Sequence, residues 1–446
     1  YITDLSSVAS YIPYGNIDSR AFFLRSTEQT SAFHSNGQSL IENKNNIVLL
    51  TVIIVNYNVR HYLFQCLDSL RRSCQGLSWE VFVVDNNSTD GSLEYLDKLY
   101  PQGSFPELHI IANNNNPGFG RANNQAYRCS VGKYVLFLNP DTFVGEHTIT
   151  DSIEFMENHP DAGCLGVKML NADGSFAMES RRGVPTPWAS FCKISRLSKL
   201  FPLSKRFGRY YMQHLPVDKP APIEIVSGAY MMMRRDVGDR VGVFDEDYFM
   251  HCEDIDLSYR MLKAGLHNYY LPTAILHYKG ESTKRHSYTF VNTFYKAILI
   301  FFRKHFNHHY FLLRIVIYIA LYTLGAMSFV RGQYRKYTYL LKTIIKPSVP
   351  VFLCLVKPEN IGLVESLGER YGFRYVMCDC GIARGEELEA LLCAKKCDYV
   401  VFDMSQRKYE EVLDIASSVT GKHRASVATL HPQQGILLTY KYIFTL

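Results

Sequence analysis

At 446 residues the chain has room for two or three domains, and 47% hydrophobic residues supply enough material for packed cores. A formal net charge of +6 is mild; it suits an anionic substrate or a membrane surface and argues against a nucleic-acid binder. The 11 cysteines show no repeated metal-site spacing and read as reduced thiols in a cytosolic protein rather than a disulfide framework.

Residues 1–48 are mixed, with frequent Ser, Asn and Gln and no sustained period, and form an N-terminal extension of unassigned role. From Leu49 strands and helices alternate. Strands are expected over Leu49–Val55, Glu80–Asp85, Leu108–Ala112 and Tyr134–Leu138, with helices around Tyr62–Arg72, Leu93–Tyr100 and Arg121–Ser130. This order implies a parallel α/β sheet with right-handed crossovers. Residues 150–290 carry shorter elements that shape the substrate side.

Residues 311–330 are apolar apart from Arg314 and a few hydroxyls, about the length of a membrane span. Basic residues on both flanks fit a helix at an anionic surface better than a clean crossing, so 306–345 is expected to be a membrane-associated helical segment. A helix buried between two domains is the plainer alternative. Residues 346–446 read as a second, small Rossmann-like α/β unit, with strands at Val351–Val356, Arg374–Cys378, Asp398–Asp403 and Ala425–Leu430. No Gly-x-Gly-x-x-Gly sits at its first turn, which argues against a dinucleotide site and for a regulatory or interacting role.

Four segments at strand ends carry the chemistry. The run Tyr134–Leu138 enters Asn139-Pro140-Asp141, placing a carboxylate where ligands sit in open α/β sheets. Such a carboxylate can hold a divalent cation against a diphosphate; alternatively it caps a turn. Asn56 and Asn58 end the first strand and can meet a base or ribose. Asp85, in Asp-Asn-Asn-Ser-Thr-Asp-Gly91 with Asn87, can accept from a pyrimidine N3–H or close an Asx-turn. In Asn113-Asn-Asn-Asn-Pro-Gly-Phe-Gly-Arg-Ala-Asn-Asn124, Gly118 and Gly120 allow close backbone approach, and Arg121 or the helix start can meet phosphate.

This ordered set resembles the family 2 glycosyltransferases of the GT-A fold, and among them the rhamnosyltransferase-like enzymes of bacterial surface polysaccharide synthesis, over roughly residues 49–300. The resemblance implies a GT-A domain over 49–305. It also implies an inverting transfer from a nucleotide-diphosphate sugar (dTDP- or UDP-linked, with rhamnose one candidate) to a glycan on a polyprenyl diphosphate carrier. The cell compartment it implies is the cytoplasmic face of the bacterial inner membrane. Asp85 then binds the nucleobase, with Asn56, Asn58, Asn87, Gly118, Gly120, Arg121, Asn124 and Asn139 around the donor. Asp141 holds Mg²⁺ or Mn²⁺; Asn139 stands at the first position of the Asp-x-Asp motif, and His277 falls at the position of a metal-coordinating histidine. Ser227, Gly228 and Arg260 lie toward the acceptor, although Arg260 also sits four residues from Asp256 and invites a local ion pair. Asp254 is the base and Glu253 its support; a charged first helical turn is the plainer account of both. Lys279, Lys284 and Arg285 are candidates for a lipid-linked phosphate. Two rival classes are a nucleotidyltransferase, which would want a Gly- and Lys-rich loop where Asn56-Tyr-Asn-Val-Arg60 stands, and a non-catalytic sugar-nucleotide-binding scaffold.

Overall fold

The computed structural model describes residues 48–278, 288–306, a few positions between 322 and 334, 349–378, 386–420 and 425–446. The N-terminal extension, Lys279, Lys284, Arg285 and most of 306–345 lie outside the described residues. Among the described residues no helix is long and apolar enough to cross a membrane.

A continuous Val/Ile run makes a strand only where helices cover both sheet faces. The strand β1 (Leu50–Asn56) is accordingly buried at every position. It is followed by α1 (Arg60–Ser73), β2 (Trp79–Asp85), α2 (Ser92–Leu99), β3 (Leu108–Ala112), α3 (Phe119–Cys129) and β4 (Tyr134–Leu138). The four strands pair in parallel, in the order β3-β2-β1-β4, as the alternation predicts. The order reverses at β1, so the carboxyl ends of β1 and β4 open a crevice there.

The next elements are β5 (Thr142–Val144), α4 (Thr148–Asn158), β6 (Ala162–Leu170), α5 (Pro187–Ile194), α6 (Leu197–Leu200) and β7 (Ala221–Ile223). After them come β8 (Tyr230–Arg234), α7 (Arg235–Val241), α8 (Glu253–Lys263), β9 (His267–His277) and α9 (Tyr288–Phe306). Here the sheet becomes mixed. β8 pairs antiparallel with β4 and β6, β6 runs parallel to β9, and β5 and β7 are antiparallel to β9.

The last 100 residues form a second sheet. Its elements are β10 (Val351–Leu355), α10 (Ile361–Tyr371), β11 (Arg374–Cys378), α11 (Glu386–Lys395), β12 (Tyr399–Asp403), α12 (Tyr409–Ile415), β13 (Ser426–His431), β14 (Ile436–Thr439) and β15 (Ile443–Thr445). The order is β11-β10-β12-β13-β14-β15, with the last two pairings antiparallel. The β14–β15 hairpin was not expected from sequence. Its turn lacks glycine and proline; Thr439 Oγ1 closes it by accepting from the Lys441 and Tyr442 amides.

The two sheets share a core. Leu63, Cys66, Leu67 and Leu70 of α1 pack into the first sheet. Another face of the same helix meets the second unit. Tyr62 donates to Thr439 O at 2.7 Å and Gln65 to Thr429 Oγ1 at 2.9 Å, while Arg72 reaches Met404 O and Arg407 O. Tyr409, fully buried, donates to Asp68 at 2.9 Å. Glu146 accepts from the Tyr409 and Glu410 amides, capping α12 from the other sheet's side. Phe143, Leu276 and Tyr278 join Leu353, Phe402 and Leu413 in one apolar cluster. A domain merely tethered by a linker would not bury these groups jointly. Residues 48–446 should therefore unfold in one calorimetric transition, and Tyr409→Ala should cost about 3–5 kcal/mol, the usual scale for removing a buried aromatic ring. Two separated transitions would show the halves to be independent.

Candidate functional site

A cavity of about 630 Å³ opens at the carboxyl ends of β1 and β4. On one side the β4–β5 turn presents Asn139, Pro140 and Asp141. The Asn139 amide donates to Ala229 O, and Asp141 is buried with 3% exposure. The antiparallel register pairs Thr142 with His277, which places His277 beside Asp141 from a position 136 residues later in sequence. His277 Nε2 lies 3.2 Å from Asp141 Oδ1 and 3.4 Å from Asn139 Nδ2. His277 Nδ1 is buried without a hydrogen-bond partner among the described residues.

The start of α8 supplies the second charged group. Asp254 Oδ2 accepts from Arg182 at 2.5 Å and from the Gly228 amide at 3.1 Å; Oδ1 accepts from the Ile255 amide at 2.8 Å. Gly228 is a close fit here, because an added Cβ would come 3.3 Å from the Cβ of Asp254 and press on it. Glu253 is buried beside it, and its Oε2 has no partner among the described residues. Burial first, and the Asp254 charge second, push the Glu253 carboxyl up to about 8. For Arg182, burial opposes the charged form, but Asp254 more than restores it and raises its pKa. The two residues before the helix, His251 (φ 72°) and Cys252 (φ 66°), are both left-handed without being glycine or asparagine. Such backbone costs on the order of 1–3 kcal/mol per residue and clusters at functional sites.

The other expected donor-side residues mostly brace the loops. Asn56 Nδ2 donates to Asp85 Oδ1 at 2.6 Å, and Asp85 Oδ2 accepts from the Ser88 amide at 2.9 Å. Neither lines the cavity; Val55, Tyr57 and Asn86 do. Asn58 Oδ1 accepts from Thr89 N at 2.7 Å, tying the first loop to the second, and Asn87 is exposed with φ 62°. Gly118 (φ 97°) does permit a close backbone approach, but to the Phe249 carbonyl, 2.5 Å from where a Cβ would stand. Gly120 likewise backs onto Asp245 O. Asn124 clamps Phe244 through both amide groups. Arg121 is exposed and reaches Glu246, away from the cavity lining.

Ser227 and Gly228 line the cavity as expected, whereas Arg260 does not. Arg260 bonds Asp256 at 2.8 Å and the carbonyls of Val241, Gly242 and Val243, holding α8 against the end of α7. Burial works against the Asp256 charge, but bonds from His305 and Arg260 outweigh it and hold its carboxyl at about 2. The Asp256–Arg260 pair is thus structural.

Sequence reasoning missed Arg182, Glu179, Lys193, Tyr210 and Tyr211, which form another wall, and Phe294, Ile298, Phe301 and Phe302 of α9. Lys193 Nζ stands 3.5 Å from the Tyr210 ring centroid, and burial lowers its pKa. The adjacent Arg181-Arg182 pair was the only local hint.

The glycosyl transferase family 2 model matches residues 51–242. An N-acetylglucosaminyl-diphospho-decaprenol L-rhamnosyltransferase of Mycobacterium tuberculosis (strain ATCC 25618 / H37Rv) is 30% identical over 267 residues, 57% of this chain and 83% of that protein. Rhamnosyltransferase WbbL of Escherichia coli (strain K12) is 29% identical over 244 residues, 53% of this chain and 86% of that one. The poly(ribitol-phosphate) beta-N-acetylglucosaminyltransferase TarS of Staphylococcus aureus (strain Mu50 / ATCC 700699) is 30% identical over 136 residues, 30% of this chain and 22% of that protein. The chain is a glycosyltransferase and belongs to glycosyl transferase family 2.

Proposed function

We propose that the chain transfers a sugar, with inversion and with help from a divalent cation, from a dTDP- or UDP-linked donor to a lipid-linked glycan acceptor at the cytoplasmic face of a bacterial membrane. The observation that carries this reading is that Asp141 with His277, and Asp254 with Arg182, line one cavity at the strand-order reversal. The rhamnosyltransferase names of two relatives support rhamnose as the sugar and a decaprenyl-type diphosphate as the carrier.

A cation fits the Asp141–His277 pair. One carboxylate oxygen and one imidazole nitrogen 3.2 Å apart are a donor set that Mn²⁺ accepts more readily than Mg²⁺, which prefers oxygen. Among the described residues no group of three or more His, Cys, Asp or Glu side chains converges on a metal site. The site therefore offers two ligands among the described residues and leaves the rest to donor oxygens and water, so cation and donor should bind cooperatively. When bound, the cation offsets charge on the departing diphosphate.

The acceptor hydroxyl must lose its proton as it attacks, and Asp254 is placed to take it on Oδ1, which has one backbone donor where Oδ2 has Arg182 and Gly228. Arg182, bonded to the other oxygen, fixes the position of the carboxylate. Glu253, whose burial raises its pKa to about 8, is held in its neutral form near pH 7 and is therefore not a second base.

Three outcomes are expected. Asp141→Ala should abolish turnover and weaken nucleoside diphosphate binding in Mn²⁺, with His277→Ala a milder version. Calorimetric titration of dTDP, UDP and GDP with and without Mn²⁺ checks this, and tighter GDP binding or a metal-independent wild type would refute it. Asp254→Asn keeps the shape and, with its carbonyl oxygen toward Arg182 and the Gly228 amide, two of the three accepted hydrogen bonds, so donor affinity should persist while kcat drops about 10²–10⁴-fold. Near-normal turnover in that variant, with a dead Glu253→Gln, would exchange the two roles.

The third outcome concerns stability. The folded-state pKa of Glu253 lies above its ordinary value near 4.5, so the folded state binds the extra proton. Stability from this group is complete below about 4.5 and is lost as pH rises toward 8. Glu253→Gln should gain Tm relative to wild type from pH 5 to 8 and level off above; a pH-independent Tm difference would count against the burial argument.

A further inference from the structure

Over residues 187–217 the chain carries six lysines and arginines and no aspartate or glutamate, so the whole formal net charge of +6 resides there and the remainder is neutral. Thr186 accepts from the Ala189 amide and Pro187 opens the first turn, a start signal that makes this stretch helical as α5. One face of α5 and the chain after it close the cavity through Ser190, Lys193, Ile194, Tyr210 and Tyr211. The rest looks outward. Trp188 is 43% exposed, Phe191 54%, Leu200 71%, Phe201 52% and Leu203 70%. Ring contacts join Phe191 to Trp188 (5.7 Å), Trp188 to Phe207 (6.1 Å) and Phe207 to Phe201 (5.4 Å), so the aromatics form one patch. Arg196, Lys199, Lys205 and Arg206 are exposed around it, and among the described residues none of them is paired with a carboxylate.

A contiguous exposed apolar patch marks an interaction site. Its chemistry selects the partner. Trp and Phe side chains among unpaired cations, with no acid, fit a surface of apolar acyl chains below anionic headgroups, and repel a second copy of the same basic face. We propose that the α5–α6 surface rests on an anionic lipid bilayer, which brings the mouth of the cavity to a lipid-borne acceptor. The delivery clause rests on the function proposed above; the docking itself does not. It also assigns membrane contact to residues 187–207, separate from the 306–345 segment.

The chain has two tryptophans, Trp79 and Trp188, so one conservative change isolates the reporter. Full-length Trp79→Phe protein is mixed with phosphatidylglycerol vesicles, with phosphatidylcholine vesicles as the neutral control. Expected are a blue shift of Trp188 emission and its quenching by lipids brominated near the interface, with anionic vesicles only and reduced at 0.5 M salt. Phe191→Ser/Leu200→Ser/Leu203→Ser, none of which lines the cavity, should lower vesicle binding while leaving transfer to a water-soluble acceptor analogue intact. Lys199→Ala/Lys205→Ala should weaken binding about 30-fold on the usual scale for two surface cations. Three results would overturn the proposal: no vesicle binding; cosedimentation with Trp188 emission unchanged, which would move the contact to 306–345; or sedimentation velocity showing the patch closed between two copies. Absent transfer to any acceptor, with vesicle binding intact, would instead sink the function reading alone.

Discussion

Two adjacent carboxyl groups at a buried helix start cannot both ionise without a counter-charge, and the arrangement around α8 follows from that constraint. Arg182 arrives from a segment 72 residues earlier and takes the Asp254 side. Glu253, left without a cation, keeps its proton. The Gly228 amide donates to Asp254 at 3.1 Å, with little space left between the two residues. Two residues beyond Asp254, Asp256 faces the opposite way and is neutralised separately by Arg260 and Lys304, with His305 also in hydrogen-bond contact. Three acids in one helical turn thus have three different electrostatic fates, set by which cations each meets. Lys304 and His305 come from α9, so this helix fixes α8 as well as walling the cavity.

Behind the Asp141 turn the same logic is apolar. Asp141 and Phe143 are two residues apart across a strand edge, and the Phe143 ring lies 5.0 Å from Tyr409 and 6.1 Å from Tyr278. Tyr278 in turn returns its amide to Asp141 O at 3.0 Å. The second sheet therefore packs against the back of the turn that presents the carboxylate. Closely packed interiors transmit small displacements, so the position of Asp141 depends on residues beyond 400 that never approach the cavity.

Much of this was readable in advance because it is local. The parallel order β3-β2-β1-β4 follows from apolar runs alternating with helical periods, and the Asn139–Asp141 turn from a strand entering proline. Antiparallel β8, inserted between β4 and β6, was not readable, since Tyr230-Met-Met-Met is apolar in any setting. The misplaced residues share one cause. Gly118, Gly120, Asn124 and Arg121 have the right chemistry for a ligand, yet loop 244–249 occupies the space beside the glycines and takes hydrogen bonds from Asn124 and Arg121. A glycine states that something comes close, not what. Arg182 was invisible for the converse reason: its partner is far off in sequence, and no spacing rule connects them.

The left-handed residues complete the picture of where the site is held. Asn58 and Asn87 adopt φ near 60°, a region asparagine tolerates, and Asn58 Oδ1 accepts from the Thr89 amide of the next loop. His251 and Cys252 adopt the same region without being asparagine, and the segments that flank them are both fixed. Upstream, Phe249 O accepts from the Phe119 amide at 2.8 Å and blocks any side chain at Gly118; downstream, Cys252 O accepts from Asp256 N at 2.9 Å to begin α8. Between these two fixed points the chain must turn sharply, and the turn aims Glu253 and Asp254 into the cavity instead of along the surface. The start of α3, which looked like a phosphate cradle, thus acts on the chemistry by pinning the loop that carries the acids.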